Sequence, residues 1–310
     1  MSLLNRPLLV LATILIALAA PAGAADVVVP PGSELVLGRV SDNPKDDYGR
    51  LRPMLDYVVP RMASVGIRSG RILMARDAQQ MLSYLRRGKV DWITETPGSA
   101  AIYQERADAR VLLLTERGGQ SRYQSVLFAR VDSGIHSLAD LRGRSIAFQN
   151  NASTSAYFLP AIEILGAGLP LVVLASPSDR PSADVVGFVF ARSELNISTW
   201  VHKGLVDAGA FSEQDWRDLE RVPEAFRADL QVFHRSSFVP RAMEVVRSDL
   251  DPQVAARLRE VLLGAAGDPE AIPALKALWG TVRFSEIDDA SERALEAFGI
   301  GARRIRAEVE

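Results

Sequence analysis

Three hydroxyl side chains in a row, Ser153, Thr154 and Ser155, follow the run Ser145-Ile-Ala-Phe-Gln-Asn-Asn-Ala152 and lead into Ala156-Tyr-Phe-Leu-Pro160. The pattern reads as a short buried strand, a polar turn and a helix. A helix start carries unpaired N–H groups and a partial positive charge, so it attracts anions. Three hydroxyls at that point suit a tetrahedral oxyanion such as a phosphonate or phosphate, with Asn150 and Asn151 as further amide donors. The alternative is local: one hydroxyl caps the helix, as Ser and Thr commonly do, and the asparagines satisfy the turn's own backbone.

Other candidates stand where strands end. Glu95, flanked by Thr94 and Thr96 before Pro97, closes a predicted strand, the position at which open α/β sheets meet ligands. It either accepts hydrogen bonds from a ligand amine or P–OH, or is an exposed loop carboxylate. One of the two threonines is expected to cap the helix that Pro97 opens. Ser41, Asp42 and Asn43 end the first strand and suit either a cleft or an ordinary Asx turn before Pro44. Tyr123 opens the second half of the chain, as a cleft residue or a packed aromatic. Glu194 and Asn196 begin a helix and complement its dipole. Asp207 falls in a strand pattern, where a carboxylate needs a partner, and is read as part of a polar network.

Catalytic motifs are absent. There is no GxSxG, HExxH, Walker A or GxGxxG run, and no Ser stands three residues before any of the four lysines, Lys45, Lys89, Lys203 and Lys276. His136, His202 and His234 lack metal-ligand spacing, so neither a metal nor a cofactor is expected. The chain reads as a binder rather than an enzyme.

The positions that must carry these groups alternate between strand and helix patterns. Strands are expected at 34–40, 67–75, 90–94 and 110–115, with helices between them, one capped by Asp77. After the Gly118-Gly119 pair a second α/β unit begins with the apolar 123–131 strand. It continues through the capped turn Ser137-Leu-Ala-Asp-Leu-Arg-Gly143, the 145–148 strand, a helix to Leu165, the helix 194–202 and the strand 204–210. From Leu230 the chain runs through Gln231–Pro240 to the apolar 242–246 segment and then shows a mostly helical pattern to the end. No internal repeat stands out.

The N-terminus is an address. Arg6, the apolar run Leu8–Ala20 and Ala22-Gly23-Ala24 have the form of a secretory signal peptide, 1–24, and the run is shorter than the about 20 apolar residues that span a bilayer. With no cysteine in the chain there is neither a lipid attachment residue nor a disulfide, so an unlipidated periplasmic protein standing on its hydrophobic core is expected. Of 310 residues, 36 are Lys or Arg and 38 Asp or Glu, with no basic stripe, which argues against nucleic acid as a partner.

Five segments in order carry a resemblance: Gly88-Lys-Val-Asp91; Ser137 to Phe148 with its Leu, Asp, Leu and Gly; Ser153-Thr-Ser155 with Pro160; Gly204-Leu-Val-Asp-Ala-Gly209; and Ser236 with Pro240. Together they resemble the periplasmic substrate-binding components of phosphonate, phosphite and phosphate ABC importers. The resemblance implies an α/β fold of two Rossmann-like lobes joined by two hinge crossings (a type II periplasmic binding protein). Its segments would be 25–121 for lobe 1, 122–224 for lobe 2, and 225–310 for the return to lobe 1 with C-terminal helices. It implies a small anionic ligand clamped between the lobes, with Ser153, Thr154, Ser155 and Asn151 holding the oxyanion. Glu95, Thr96, Asn43, Tyr123 and Glu194 would line the rest. The usual glycine after the hydroxyls is Ala156 here, and Ala78 and Glu95 stand where relatives that bind aminoalkylphosphonates carry tyrosines. The implied partner is an ABC permease, with a sensor histidine kinase as the alternative, a hydrolase or transferase on the same scaffold as a third reading, and a monomer as the expected state.

Overall fold

The computed structural model describes residues 33–309. The expected signal segment 1–24 lies outside them. No helix among the described residues is long and apolar enough to cross a membrane.

The first lobe begins with β1 (Glu34–Val40), α1 (Pro44–Arg61), β2 (Ser69–Ala75), α2 (Ala78–Arg86), β3 (Trp92–Glu95), α3 (Pro97–Ala107) and β4 (Arg110–Arg117). Alternate residues of β1 are buried on opposite faces, Leu35 and Leu37 against α1 and Val36 against α2. A strand apolar on both sides belongs in the middle of a helix-covered sheet. Helix α1 answers with Leu51, Met54, Leu55 and Val58, the spacing of a single buried stripe, and Pro44 opens it where a missing N–H costs nothing.

The chain then leaves through β5 (Arg122–Tyr123) and builds the second lobe from β6 (Ser125–Arg130), β7 (Ser145–Phe148), α4 (Leu159–Gly166), β8 (Leu171–Val173), β9 (Val186–Phe190), α5 (Glu194–His202), β10 (Ala208–Ser212), α6 (Glu213–Arg217), α7 (Glu224–Arg227) and β11 (Leu230–Arg235). It returns through β12 (Val239–Pro240) to β13 (Ala242–Val246), α8 (Pro252–Gly264), α9 (Ile272–Ala277), β14 (Thr281–Ser285) and α10 (Asp289–Glu308). The six-stranded sheets run β14-β4-β13-β3-β1-β2 and β11-β6-β10-β7-β9-β8. Each is parallel at its centre and antiparallel where the chain crosses over.

The return crossing falls later than expected. Leu230–Arg235, assigned above to the returning first lobe, pairs antiparallel with β6 and buries Leu230 beside Val126 and Phe128. Without β11 this buried strand would leave an unpaired edge. The crossing is therefore residues 236–241, where β12 pairs antiparallel with β5 and the two connections form one short ribbon. Gly118 (φ 56°) and Gly119 (φ 75°) turn the outgoing chain into it, in a region that favours glycine.

Helix α10 belongs to neither lobe alone. Phe298, Ala302 and Ile305 are buried with Tyr157 and Phe158 of the second lobe, while Leu295 packs on the first-lobe cluster of Tyr103 and Ala107. Arg306 pairs with Glu105 of α3.

Candidate functional site

The hydroxyl turn follows β7, whose Ile146 and Phe148 are fully buried. Asn150 Oδ1 accepts the Ala152 N–H at 2.9 Å, so this asparagine serves the turn itself. Ser153 Oγ accepts the Ala156 N–H at 3.1 Å and caps the helix. The first turn, Thr154–Phe158, is π-helical, closed by N–H bonds from Phe158 to Ser153 and from Leu159 to Thr154. Pro160 explains the widening. It has no N–H to offer the Ala156 carbonyl, which instead accepts the Gln149 N–H at 3.0 Å.

Thr154 is 2% exposed and turned toward the first lobe. Its Oγ1 accepts the Gly98 N–H at 2.7 Å and donates to Thr96 Oγ1 at 2.9 Å. The hydroxyl of Tyr123, buried in the crossing, also reaches the Thr154 side chain. The Ser155 carbonyl accepts from Ser125 Oγ, and the Ser125 N–H donates to Ser236 Oγ at 2.8 Å. The turn is thus held by the first lobe, the crossing ribbon and the second sheet together. Asn151 is exposed at its tip.

Neither threonine beside Glu95 caps α3. Thr96 sits at the cap position without a side-chain bond to the helix, its hydroxyl taken by Thr154, and Thr94 donates to Glu244 at 2.7 Å. Glu95 is no exposed loop carboxylate. It is buried, 3.4 Å from Arg39 Nη1. Asn43 follows the turn reading: its N–H bonds Ser41 Oγ and its amide donates to Asp46. Glu194 accepts from Gln149 Nε2 at 2.7 Å, and burial together with nearby Asp215 pushes its carboxyl above the usual glutamate range. Asn196 ties the Ala191 carbonyl at 2.8 Å.

Several residues of this region were not singled out in the sequence. At the cleft edge of the first sheet, the carboxyl ends of β1 and β4 and the amino end of the antiparallel β13 bring Arg39, Arg117 and Arg241 to one border. Arg39 and Arg117 lie over the ring of Trp279, 4.8 and 4.9 Å from its centroid, and Arg241 lies over Tyr123 at 4.8 Å. Arg117 Nη2 donates to Thr94 Oγ1 at 2.6 Å. Beneath them Glu244, fully buried, accepts from Trp92, Thr94 and Thr115. The only local signal was a charged residue at each strand end. In the second lobe Arg192, at φ 70°, follows β9 beside Gln149.

Two α/β lobes with paired crossings, and a helix start from each meeting at Gly98 and Thr154, define a two-lobed solute-binding protein of the type II build. Residues 38–291 match the family model described as ABC transporter, phosphonate, periplasmic substrate-binding protein, and the chain belongs to that family. Such a protein works in the periplasm, takes a small ligand and meets an ABC permease.

The chain is similar to XAC2383 from Xanthomonas citri. In the structure bound to a chloride ion that protein is 50% identical, with TM-score 0.85 over 89% of this chain and 99% of its own. In the structure bound to ATP it is 49% identical, with TM-score 0.85 over 90% of this chain and 100% of its own. PhnD1 from Prochlorococcus marinus (MIT 9301), in complex with methylphosphonate, is 15% identical with TM-score 0.64, covering 88% and 98%, and shares the fold.

Proposed function

We propose that the chain captures the phosphonate or phosphate group of a small solute between its lobes and presents the closed form to an ABC permease. The observation that carries this reading is the bond from the Gly98 N–H to Thr154 Oγ1 at 2.7 Å. It brings the start of α3 to the start of the Thr154 helix, so two partial positive charges meet where the lobes meet. Facing helix starts oppose each other, and an anion between them offsets that cost.

In this reading Ser155, Asn151 and the first N–H groups of the Thr154 helix meet the oxyanion. Ser153 and Thr154 order the turn, and Thr96 and Tyr123 hold Thr154. Glu95 orients Arg39, Asn43 fixes the start of α1, and Glu194 holds Gln149 at the rim. Binding by charge-assisted hydrogen bonds breaks no bond in the solute, so no turnover is expected. The mature chain is taken to start at Ala25, without lipid, and to act as a monomer.

The relative bound to ATP puts phosphate esters beside alkylphosphonates as ligands to try. Calorimetric titration of the 25–310 chain with phosphate, methylphosphonate, pyrophosphate and ATP tests the reading. Saturable binding of at least one, lost in a Ser153→Ala, Ser155→Ala double variant, is the expected result. No binding of any of them by folded protein overturns it.

A further inference from the structure

The first-lobe edge of the cleft is cationic, and its cations are not fully used by the protein. The Nε groups of Arg39, Arg117 and Arg241 are all buried without a hydrogen-bond acceptor among the described residues. Arg39 Nε comes within 3.8 Å of Asp47 Oδ2, too far for a hydrogen bond. Arg117 is only 6% exposed, and a buried donor left unpaired costs about 1–3 kcal/mol, more when it is charged.

The nearby carboxylates offset the cluster only in part. Glu95 is matched by Arg39, and Glu244 supports the charge on Arg117 but spends its hydrogen-bond capacity on Trp92, Thr94 and Thr115 rather than on an arginine. Burial first, and Arg39 and Arg241 after it, disfavour the charge on Arg117 and bring its guanidinium down to about 10, with Glu244 and Glu95 acting the other way. Folding that keeps three arginines together at such cost points to an absent anion.

We propose that Arg39, Arg117 and Arg241 receive a second anionic group of the solute, so that the preferred ligand carries two oxyanionic centres rather than one. The inference rests on the oxyanion reading above and extends it to the other end of the ligand. Tyr123 connects the two ends: it lies under Arg241 and reaches Thr154. The same geometry disfavours a solute with an amine opposite its phosphonate, because both buried carboxylates there are engaged, Glu95 by Arg39 and Glu244 by Trp92, Thr94 and Thr115. The second group is a further phosphate, as in pyrophosphate, or a carboxylate, as in phosphonoacetate. Both offer a guanidinium the paired oxygens it binds best.

The test is a calorimetric panel on the 25–310 chain: methylphosphonate, 2-aminoethylphosphonate, phosphonoacetate and pyrophosphate. Pyrophosphate or phosphonoacetate is expected to bind at least tenfold tighter than methylphosphonate, and whichever of the two leads identifies the second group. In Arg241→Gln and in Arg39→Gln the ratio of that affinity to the affinity for methylphosphonate falls toward one. Should Arg39→Gln not fold, Arg241→Gln and the wild-type ratio decide. Equal or tighter binding of methylphosphonate or 2-aminoethylphosphonate overturns the second site and leaves the oxyanion turn standing. No binding by any member of the panel overturns both.

Discussion

Asp91 and Asp207 make the same pair of bonds in the two lobes. Asp91 Oδ2 accepts the Val36 N–H at 2.8 Å while its own N–H donates to the Val36 carbonyl at 2.9 Å. Asp207 Oδ2 accepts the Ser145 N–H at 2.8 Å while its own N–H donates to the Ser145 carbonyl at 3.1 Å. An arginine backs each carboxylate, Arg247 at 2.8 Å for Asp91 and Arg144 at 3.4 Å for Asp207. The repeated Gly-x-Val-Asp run is therefore a clip that fastens one strand to its parallel neighbour.

Removing the clip leaves a backbone donor unpaired and takes from the backing arginine one carboxylate, the Asp207 partner of Arg144 or one of the two partners of Arg247. Asp91→Ala, the more buried case, is expected to cost about 3 kcal/mol, and Asp207→Ala about 2 kcal/mol. Urea unfolding with separate fluorescence and circular dichroism probes measures both. A loss below about 0.5 kcal/mol at Asp91 would make the clip incidental.

Phe298 is 3% exposed and its ring sits 5.8 Å from that of Phe158, so it pins α10 to the second lobe. Phe298→Ala empties that contact and is expected to cost about 3–4 kcal/mol. Because Leu295 still packs on the first lobe, loosening should be confined to the second half of α10. Hydrogen exchange by mass spectrometry resolves this, and unchanged protection over 298–308 would count against it.

What was legible in the sequence is what local chemistry decides. Asp77 caps α2 by accepting the Gln80 N–H at 2.7 Å, Ser137 forms a capping box with Asp140, and α5 spans Glu194–His202 as its pattern suggests. Asp207 is in a polar network, as its place beside apolar residues required. What was not legible depends on sheet order. Nothing in Leu230–Arg235 says which sheet needs an edge, and nothing near Arg39 says that Arg117 and Arg241 will stand beside it. The hydroxyl turn was visible as a turn. The commitment of Thr154 to the other lobe was not, since it depends on where α3 begins.

Glu194 gives the pH dependence a sign. Burial first, and Asp215 second, hold its carboxyl above the usual value near 4.5 in the folded protein. Between that value and the raised one the folded state binds more protons than the unfolded state, so this group's contribution to stability falls as pH rises through the window. Glu244, raised by burial, acts in the same direction. Glu194→Gln keeps an acceptor for Gln149 and removes one titrating group. Its urea midpoint should therefore decline less than that of the wild type from pH 4.5 toward neutrality. Parallel declines would show that Glu194 ionises freely in the folded protein.

At Gly98 the two lobes touch by virtue of a single missing methyl. A Cβ there would stand 2.8 Å from Phe158 Cδ2, 2.9 Å from Thr154 Oγ1 and 3.0 Å from the Ala152 carbonyl, all three in the second lobe. The carbonyl is backbone and cannot swing aside, so Gly98→Ala must push the lobes apart rather than repack one of them. In the hydrogen bond to Thr154 the methyl also displaces the acceptor. Because the collision lies between lobes, each lobe's own core is untouched and thermal stability should change by less than about 1 kcal/mol. Ligand affinity should fall at least tenfold, since the closed form is the one that binds. Small-angle scattering at saturating ligand should report a larger radius of gyration than for the wild type. Wild-type affinity together with a superimposable scattering curve would mean that closure does not pass through this contact.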